Sequence, residues 1–295
     1  MFKNLSPAVL GVSGRESEII ELAMSHGFKG LDLDVGELAQ QVQSQGFAKA
    51  TRLIASARLK LGSFPLSVGF QSEPSQHQAE LKQVAELADV ARQIGCRRAT
   101  TVIEPRSERV YHENFEFHRR RLAELGDLLA KHEIRLGVGF VAPPDRSDDH
   151  AYQFIQTAAE ALLLLRNLGS TNVGLALDTW HWHLGGGTIE QLRSLTNDKI
   201  VTVTLSDAEP GLTVADAELS ARRLPGDGGA VDNAAVLTAL AQMHYDGPVT
   251  PAADKSQFVG QSRDQIVKAV AGAFDREWKA AGLNQAGRLA AVGGR

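Results

Sequence analysis

Cysteine, excess charge and long apolar runs are all scarce in this chain of 295 residues. The single cysteine, Cys96, cannot form an internal disulfide, so nothing in the sequence indicates an oxidising compartment. The formal net charge of −4 provides no basic field of the kind that drives sequence-independent nucleic-acid binding. The longest purely apolar stretch, residues 161–165, is too short to span a bilayer, and the N-terminus lacks the apolar core of a signal peptide. We therefore expect a cytoplasmic protein with no nucleic-acid and no membrane partner.

Hydrophobic residues make up 43% of the chain, which is ample for one large core. Eight short β-like runs alternate with helical segments. These runs are residues 8–12, 30–34, 61–65, 99–103, 135–140, 173–177, 200–205 and 248–252. Strict alternation predicts a parallel sheet, and eight units predict a single closed (β/α)8 TIM barrel over residues 1–283. The Gly- and Ala-rich residues 284–295 are expected to form a flexible C-terminal tail.

Active sites of such barrels lie at the C-terminal ends of the strands, so the residues that follow each run are the candidates. Most of them are polar or charged. They are Asp32, Asp34, Glu104, Asp178, His181, Asp207, Asp254 and Lys255. A ring of such groups suits a pocket for a small molecule, whereas each residue taken alone is equally well explained as a helix cap.

The densest cluster, residues 177–183, contains a carboxylate, two imidazoles and two indoles. Asp178 and His181 have the chemistry of metal ligands or of an acid–base pair. The indole of Trp180 offers a flat face for the C–H patches of a sugar. The alternative is that the tryptophans are packing residues and that a histidine only caps a helix, which is the interpretation that we prefer for His183.

A second cluster, residues 222–229, combines two arginines with a Pro-Gly-Asp-Gly-Gly turn. The guanidinium of Arg223 beside this turn suits an anionic or polyhydroxylated ligand. An ordinary turn with solvated arginines is the alternative, because such a turn is by itself a weak signal.

Together these segments resemble the xylose isomerase-like TIM-barrel superfamily, and in particular its sugar phosphate isomerases and epimerases. The matching segments are residues 23–33, 177–181, 204–208, 223–228 and 247–251, which are spread over nearly the whole chain. The resemblance implies one divalent cation, Mn²⁺, Mg²⁺ or Co²⁺, held by Glu, Asp, His and Glu at the ends of strands five to eight. It also implies that the two Glu residues move a proton next to a carbonyl.

This sequence departs from that pattern at three of the four implied ligand positions. Gly139, Thr204 and Ala252 stand where the family has Glu, His and Glu, and only Asp178 is retained. Hard divalent cations need several oxygen ligands, so no cofactor is expected. A cation would be expected only if the ligand register were wrong, for example with Asp254 in place of Ala252.

Two functional hypotheses remain open. In the first, the chain is an isomerase or epimerase of a sugar-like molecule, with His181 as base oriented by Asp178 and with Arg223 holding the substrate. Glu104, Asp207 or Lys255 would then supply a second acid or electrostatic group. In the second, it is a non-catalytic barrel that binds a sugar-like ligand. A nuclease similar to endonuclease IV is excluded by the few metal ligands and the negative charge. The sequence does not define an oligomeric state, and a homodimer is one possible assembly because dimers are the commonest soluble homo-oligomers.

Overall fold

The computed structural model describes residues 1–69, 72–142 and 150–290, and its main sheet is parallel throughout. The strands are β1 (Phe2–Leu5), β2 (Gly30–Leu31), β3 (Lys60–Leu61), β4 (Phe64–Pro65), β5 (Arg98–Ile103), β6 (Arg135–Phe140), β7 (Val173–Asp178), β8 (Ile200–Leu205) and β9 (Pro248–Pro251). They pair in the order β3-β2-β1-β9-β8-β7-β6-β5-β4. Only Gly62 and Ser63 separate β3 from β4, the two ends of this order. The sheet therefore closes on itself and confirms the predicted barrel, with its third strand in two pieces.

Helices pack around the outside of this sheet. They are α1 (Glu16–Ser25), α2 (Val35–Gln45), α3 (Phe47–Ala50), α4 (Arg52–Ser56), α5 (Pro74–Ile94), α6 (Tyr111–Ala130), α7 (Ala158–Asn167), α8 (Thr179–Leu184), α9 (Ile189–Arg193), α10 (Asn233–Gln242) and α11 (Arg263–Ala280). Thr157, Thr188 and Ser262 start α7, α9 and α11 with reciprocal capping boxes, which satisfy backbone N–H groups at those helix ends. None of the helices in the described ranges is long and apolar enough to cross a membrane.

The first strand lies nearer the N-terminus than the sequence predicts. Residues 8–12 were expected to form it, but Ala8–Leu10 is a 3-10 turn and Phe2–Leu5 is the strand. Phe2–Leu5 pairs with both β9 and β2, so its backbone groups have partners on both sides. Gly11 ends the turn at φ +67°, a conformation that suits glycine and breaks an extended run.

The C-terminal segment is docked as far as the structure describes it. The indole Nε1 of Trp278 donates to the carbonyl oxygen of Asn284 at 2.9 Å, and Ala290 N donates to Gly282 O at 2.9 Å. The backbone of residues 284–290 therefore turns back onto the end of α11, and the flexibility predicted for residues 284–295 stays a prediction. Residues 291–295 lie outside the described part of the chain.

Candidate active site

The side chains that point into the barrel can be identified from the strand register. Lys3 faces outward, since its ammonium lies over the rings of Phe274 and Trp278 on the outer helix α11. The next residue, Asn4, therefore faces the barrel axis. Its Nδ2 donates to Thr250 Oγ1 at 2.9 Å, so Thr250 lies on the same inner face.

These contacts extend into one layer across the C-terminal mouth of the barrel. Asn4 Nδ2 also donates to Asp32 Oδ1 at 2.8 Å. Thr250 pairs with Thr204 on β8, and Thr204 pairs with Asp178 on β7. We call Asp32, Asn4, Thr250, Thr204 and Asp178 the polar layer. It spans five adjacent strands, from the end of β2 to the end of β7.

At one side of the polar layer, Asp178 forms an ion pair with Arg222. The guanidinium donates to Asp178 Oδ2 at 2.6 Å, and the two side chains are only 21% and 13% exposed. Arg222 Nε donates to Ser206 Oγ at 2.7 Å, which fixes the orientation of the guanidinium. Burial by itself would raise the pKa of Asp178, but the charges of Arg222 and His181 and the hydrogen bonds from Arg222 and Trp180 lower it overall.

His181 projects from α8, the helix that Asp178 caps. Its Nδ1 lies 3.0 Å from the carbonyl oxygen of Ala142 and 3.2 Å from the amide nitrogen of the same residue. A ring N–H that donates to the carbonyl accounts for the shorter contact. In that tautomer Nε2 carries a lone pair and can accept a proton. His181 is partly exposed, so the ring remains accessible.

At the other side of the polar layer, Asp32 is held by neutral donors. Its Oδ1 accepts the Nδ2 hydrogen bond of Asn4 and a 2.8 Å hydrogen bond from the backbone amide of Ser63. A Cβ atom at Gly62 would lie 2.2 Å from this oxygen, so the chain approaches closely only because Gly62 has no side chain. Burial raises the pKa of Asp32, and hydrogen bonds from Asn4, Ser63 and Ser6 offset only part of that rise.

The residues at the four ligand positions do not supply the set of side chains that the resemblance implies for a divalent cation. Gly139 lies on the inner face opposite Val102, and a Cβ there would make ordinary contacts of 3.6 Å, so the backbone does not require glycine. Thr204 and Ala252 supply no carboxylate or imidazole, and Asp178 is already paired with Arg222. Over the described ranges, no group of three or more His, Cys, Asp or Glu side chains could hold a metal ion.

Two residues predicted to bind substrate are instead part of the interior. Trp180 is completely buried, so its indole packs within the protein and offers no face to a ligand. Asp207 is also completely buried. Its carboxylate accepts five backbone hydrogen bonds of 2.7–3.1 Å, from the amides of Ala208, Gly228, Gly229, Ala230 and Val231. Asp207 therefore shapes the glycine-rich loop that follows Arg222, and it has no capacity left for a ligand.

The arginine that reaches the site is Arg222, and its neighbour Arg223 points elsewhere. Arg223 forms an ion pair of 2.9 Å with Glu209, in which the two side chains are 40% and 53% exposed. The backbone of Arg223 pairs with that of Asp207 in an antiparallel bridge. On such extended backbone, adjacent side chains point to opposite sides. That alternation predicts that the two arginines point to opposite sides, but it does not predict which of them enters the site.

The remaining predicted residues lie at the rim. Glu104 and Lys255 are exposed, and neither belongs to the polar layer. Asp254 caps the short 3-10 helix Lys255–Phe258 by accepting a hydrogen bond from Ser256 N at 2.9 Å. Asn4 and Thr250, which join the two sides of the layer, were not predicted. Asparagine and threonine inside a strand carry no sequence signal for a site.

The chain belongs to the family described as xylose isomerase-like TIM barrel, which matches residues 20–275. An inosose isomerase from Bacillus velezensis is 21% identical over 254 residues, which cover 84% of this chain and 87% of that protein.

Two solved structures share the fold. One is a xylose isomerase domain protein from Alicyclobacillus acidocaldarius, with a TM-score of 0.84 and 22% identity over 95% of this chain and 99% of that one. The other is the IOLI protein with a bound zinc atom, with a TM-score of 0.79 and 17% identity over 96% of this chain and 98% of that one. At such identities these likenesses show the fold alone.

Proposed function

We propose that this member of the family binds a small polyhydroxylated carbonyl compound at the barrel mouth and moves a proton beside the carbonyl without a divalent cation. The observation that carries the proposal is the ion pair between Arg222 and Asp178 at the end of β7. It supplies guanidinium hydrogen-bond donors, held in place by a carboxylate, where the resemblance implies a metal. This activity retains the isomerase and epimerase class and accounts for the small residues at Gly139, Thr204 and Ala252.

In this mechanism His181 Nε2 removes a proton from the carbon next to the carbonyl. The electron pair of the broken C–H bond forms a C=C bond, and the carbonyl oxygen takes up the negative charge. Arg222 stabilises that oxygen by donating hydrogen bonds. Two of its five N–H donors bind Asp178 and Ser206, and the described residues provide no partner for the other three.

The charge balance of the site favours a neutral ligand. Asp178 offsets the charge of Arg222, so the pair provides directed donors with no net positive charge. A hydroxyl group of the ligand can bind the partly exposed side chain of Thr204 in the polar layer. The similarity to an inosose isomerase supports a cyclic or open polyhydroxy ketone over a highly charged sugar phosphate.

The test combines metal titration with hydrogen exchange. Chelator-treated protein is titrated with Mn²⁺, Mg²⁺, Co²⁺ and Zn²⁺ by calorimetry and is incubated with inosose or D-fructose in D₂O. We expect no stoichiometric metal binding, and we expect loss of the proton NMR signal beside the carbonyl at a rate that chelator leaves unchanged. Tight metal binding together with metal-dependent exchange would contradict the proposal.

A second candidate function is ligand binding without chemistry. Its support is that Gly139 and Ala252 replace both carboxylates that the superfamily pattern uses for proton transfer. The same experiment separates the two functions. A binding barrel would give a calorimetric signal with inosose or D-fructose but no deuterium in the recovered ligand.

A further inference from the structure

Asp32 faces Asp178 from the opposite wall of the barrel. Along the closed sheet, β1, β9 and β8 lie between β2 and β7, so the two strands are half a circumference apart in a ring of eight. Eight strands about 4.8 Å apart, tilted by about 36°, form a ring about 15 Å across between backbones. Asp32 and Asp178 therefore approach the barrel axis from opposite walls.

The carboxyl group of Asp32 is fixed in position by neutral hydrogen-bond donors. Asn4 and Ser63 hold one of its oxygens, and Ser6 also hydrogen-bonds to the carboxyl. The side chain remains partly exposed to the mouth. Burial is the largest influence on its pKa and raises it, and the hydrogen bonds from these neutral donors act in the opposite direction.

We propose that Asp32 is the second proton-transfer residue of the site and acts on the face of the ligand opposite His181. This inference rests on the proposed function and refines it to inversion of configuration at the carbon beside the carbonyl. Inversion needs a base on one face of the carbon and an acid on the other. A single base can only return the proton on its own side or carry it to a neighbouring atom.

The proton balance of the cycle is simple. His181 takes the proton from one face and becomes an imidazolium, while the C–H electron pair passes into the enolate. The carboxyl of Asp32 then delivers its proton to the opposite face and becomes a carboxylate. Exchange with solvent returns His181 and Asp32 to their starting states, and nothing is oxidised or reduced.

Asp32 has a structural contact that the test must separate from chemistry, because Ser63 N lies in the break between β3 and β4. Asp32→Asn keeps an oxygen for this contact and removes the transferable proton. Asp34→Asn is the matched control, since Asp34 is two residues away, exposed, and accepts a hydrogen bond from Glu37 N at the start of α2.

The experiment incubates each variant with inosose and with D-fructose in D₂O and follows two products. Proton NMR measures deuterium uptake beside the carbonyl, and chromatography measures the epimer. We expect Asp32→Asn to keep deuterium uptake within about threefold of the wild type and to lose about 100-fold in epimer formation. Asp34→Asn should change neither rate.

Each other outcome overturns the inference. Epimer formation retained by Asp32→Asn, or deuterium uptake without any epimer in the wild type, refutes the role of Asp32 and leaves the proposed function intact. Neither product in the wild type refutes both. If Asp32→Asn fails to fold, Asp32→Glu decides, because it keeps an acid but displaces it by one methylene. It should retain uptake and lose most of the epimer, and unchanged epimer formation would again refute the role.

Discussion

Two aspartates face each other across the barrel mouth, and the structure shifts their pKa values in opposite directions. Burial favours the neutral acid in both cases. Asp178 has a guanidinium at 2.6 Å and its pKa falls, whereas amide and hydroxyl groups donate to Asp32 and its pKa rises. The difference teaches that the partner, and not the depth of burial, decides which carboxylate carries a charge.

The two walls are therefore suited to different tasks. The wall of Asp178 and Arg222 presents fixed charges that can stabilise a developing oxyanion. The wall of Asp32 presents a group that can gain and lose a proton. Enzymes commonly separate acid and base roles in this way, by placing similar groups in environments that shift their pKa values apart.

The largest expected effect comes from removing the guanidinium of Arg222, which is the group that distinguishes the two walls. Arg222→Met keeps much of the aliphatic volume but leaves Asp178 as a buried charge without a partner. Breaking a buried ion pair in this way costs about 3–5 kcal/mol in the free energy of unfolding. Urea denaturation at pH 7 measures this loss.

Arg223→Met is the control for that substitution. Arg223 is the adjacent arginine in the chain, but its ion pair with Glu209 is solvent-exposed. Exposed pairs contribute about 0–1 kcal/mol, so this variant should stay within that range. Equal losses of unfolding free energy in the two variants would mean that the buried ion pair stabilises the fold no more than the exposed one. The electrostatic difference between the two walls would then be smaller than proposed.

A second effect is the coupling between the two partners. Asp178→Asn removes the charge that Arg222 neutralises, so the double variant Asp178→Asn with Arg222→Met leaves no uncompensated charge. We expect the double variant to recover about 2 kcal/mol relative to the sum of the single losses. A sum that is simply additive would show that the two side chains stabilise the fold independently.

The barrel could be predicted from the sequence because alternation and strand number are properties of the whole chain. A barrel prediction based on eight alternating units stays valid when one unit is misplaced. The first strand was predicted at residues 8–12, and the structure has it at Phe2–Leu5. That error arose because residues 8–12 are as apolar as a strand. Strand formation also depends on which backbone finds partners on both sides, and such long-range pairing leaves no local pattern.

The site was less predictable than the fold. The positions of Asp178 and His181 could be predicted because Asp178 ends a strand and His181 lies three residues later. The choice between Arg222 and Arg223 depended on which way an extended loop turns, and the burial of Trp180 depended on the packing of α8. The side-chain directions of loops and short helices are tertiary properties, so residue type alone could not assign them.

A third prediction concerns acid stability and tests the Asp178 wall alone. The pKa of Asp178 is lowered in the folded state, so its contribution is present above the unfolded pKa of about 3.9 and is lost as pH falls through the folded value. We expect the unfolding free energy of Asp178→Asn to fall less steeply than that of the wild type as the pH is lowered through this range. Urea titrations from pH 7 down to pH 3 measure both curves. If the unfolding free energy of the variant fell as steeply with decreasing pH as that of the wild type, other carboxylates would account for the loss of stability in acid.

The smallest expected effect has the opposite sign and tests the Asp32 wall. Because the pKa of Asp32 is raised in the folded state, its favourable contribution is present below the unfolded pKa of about 3.9 and is lost as pH rises through the folded value. Asp32→Asn keeps a neutral side chain at all pH values. Its unfolding free energy should therefore move upward relative to the wild type between pH 4 and pH 7. If Asp32→Asn were less stable than the wild type by the same amount at pH 4 and at pH 7, the carboxyl of Asp32 would be a structural hydrogen-bond acceptor. The two walls would then differ in stability more than in their capacity for proton transfer.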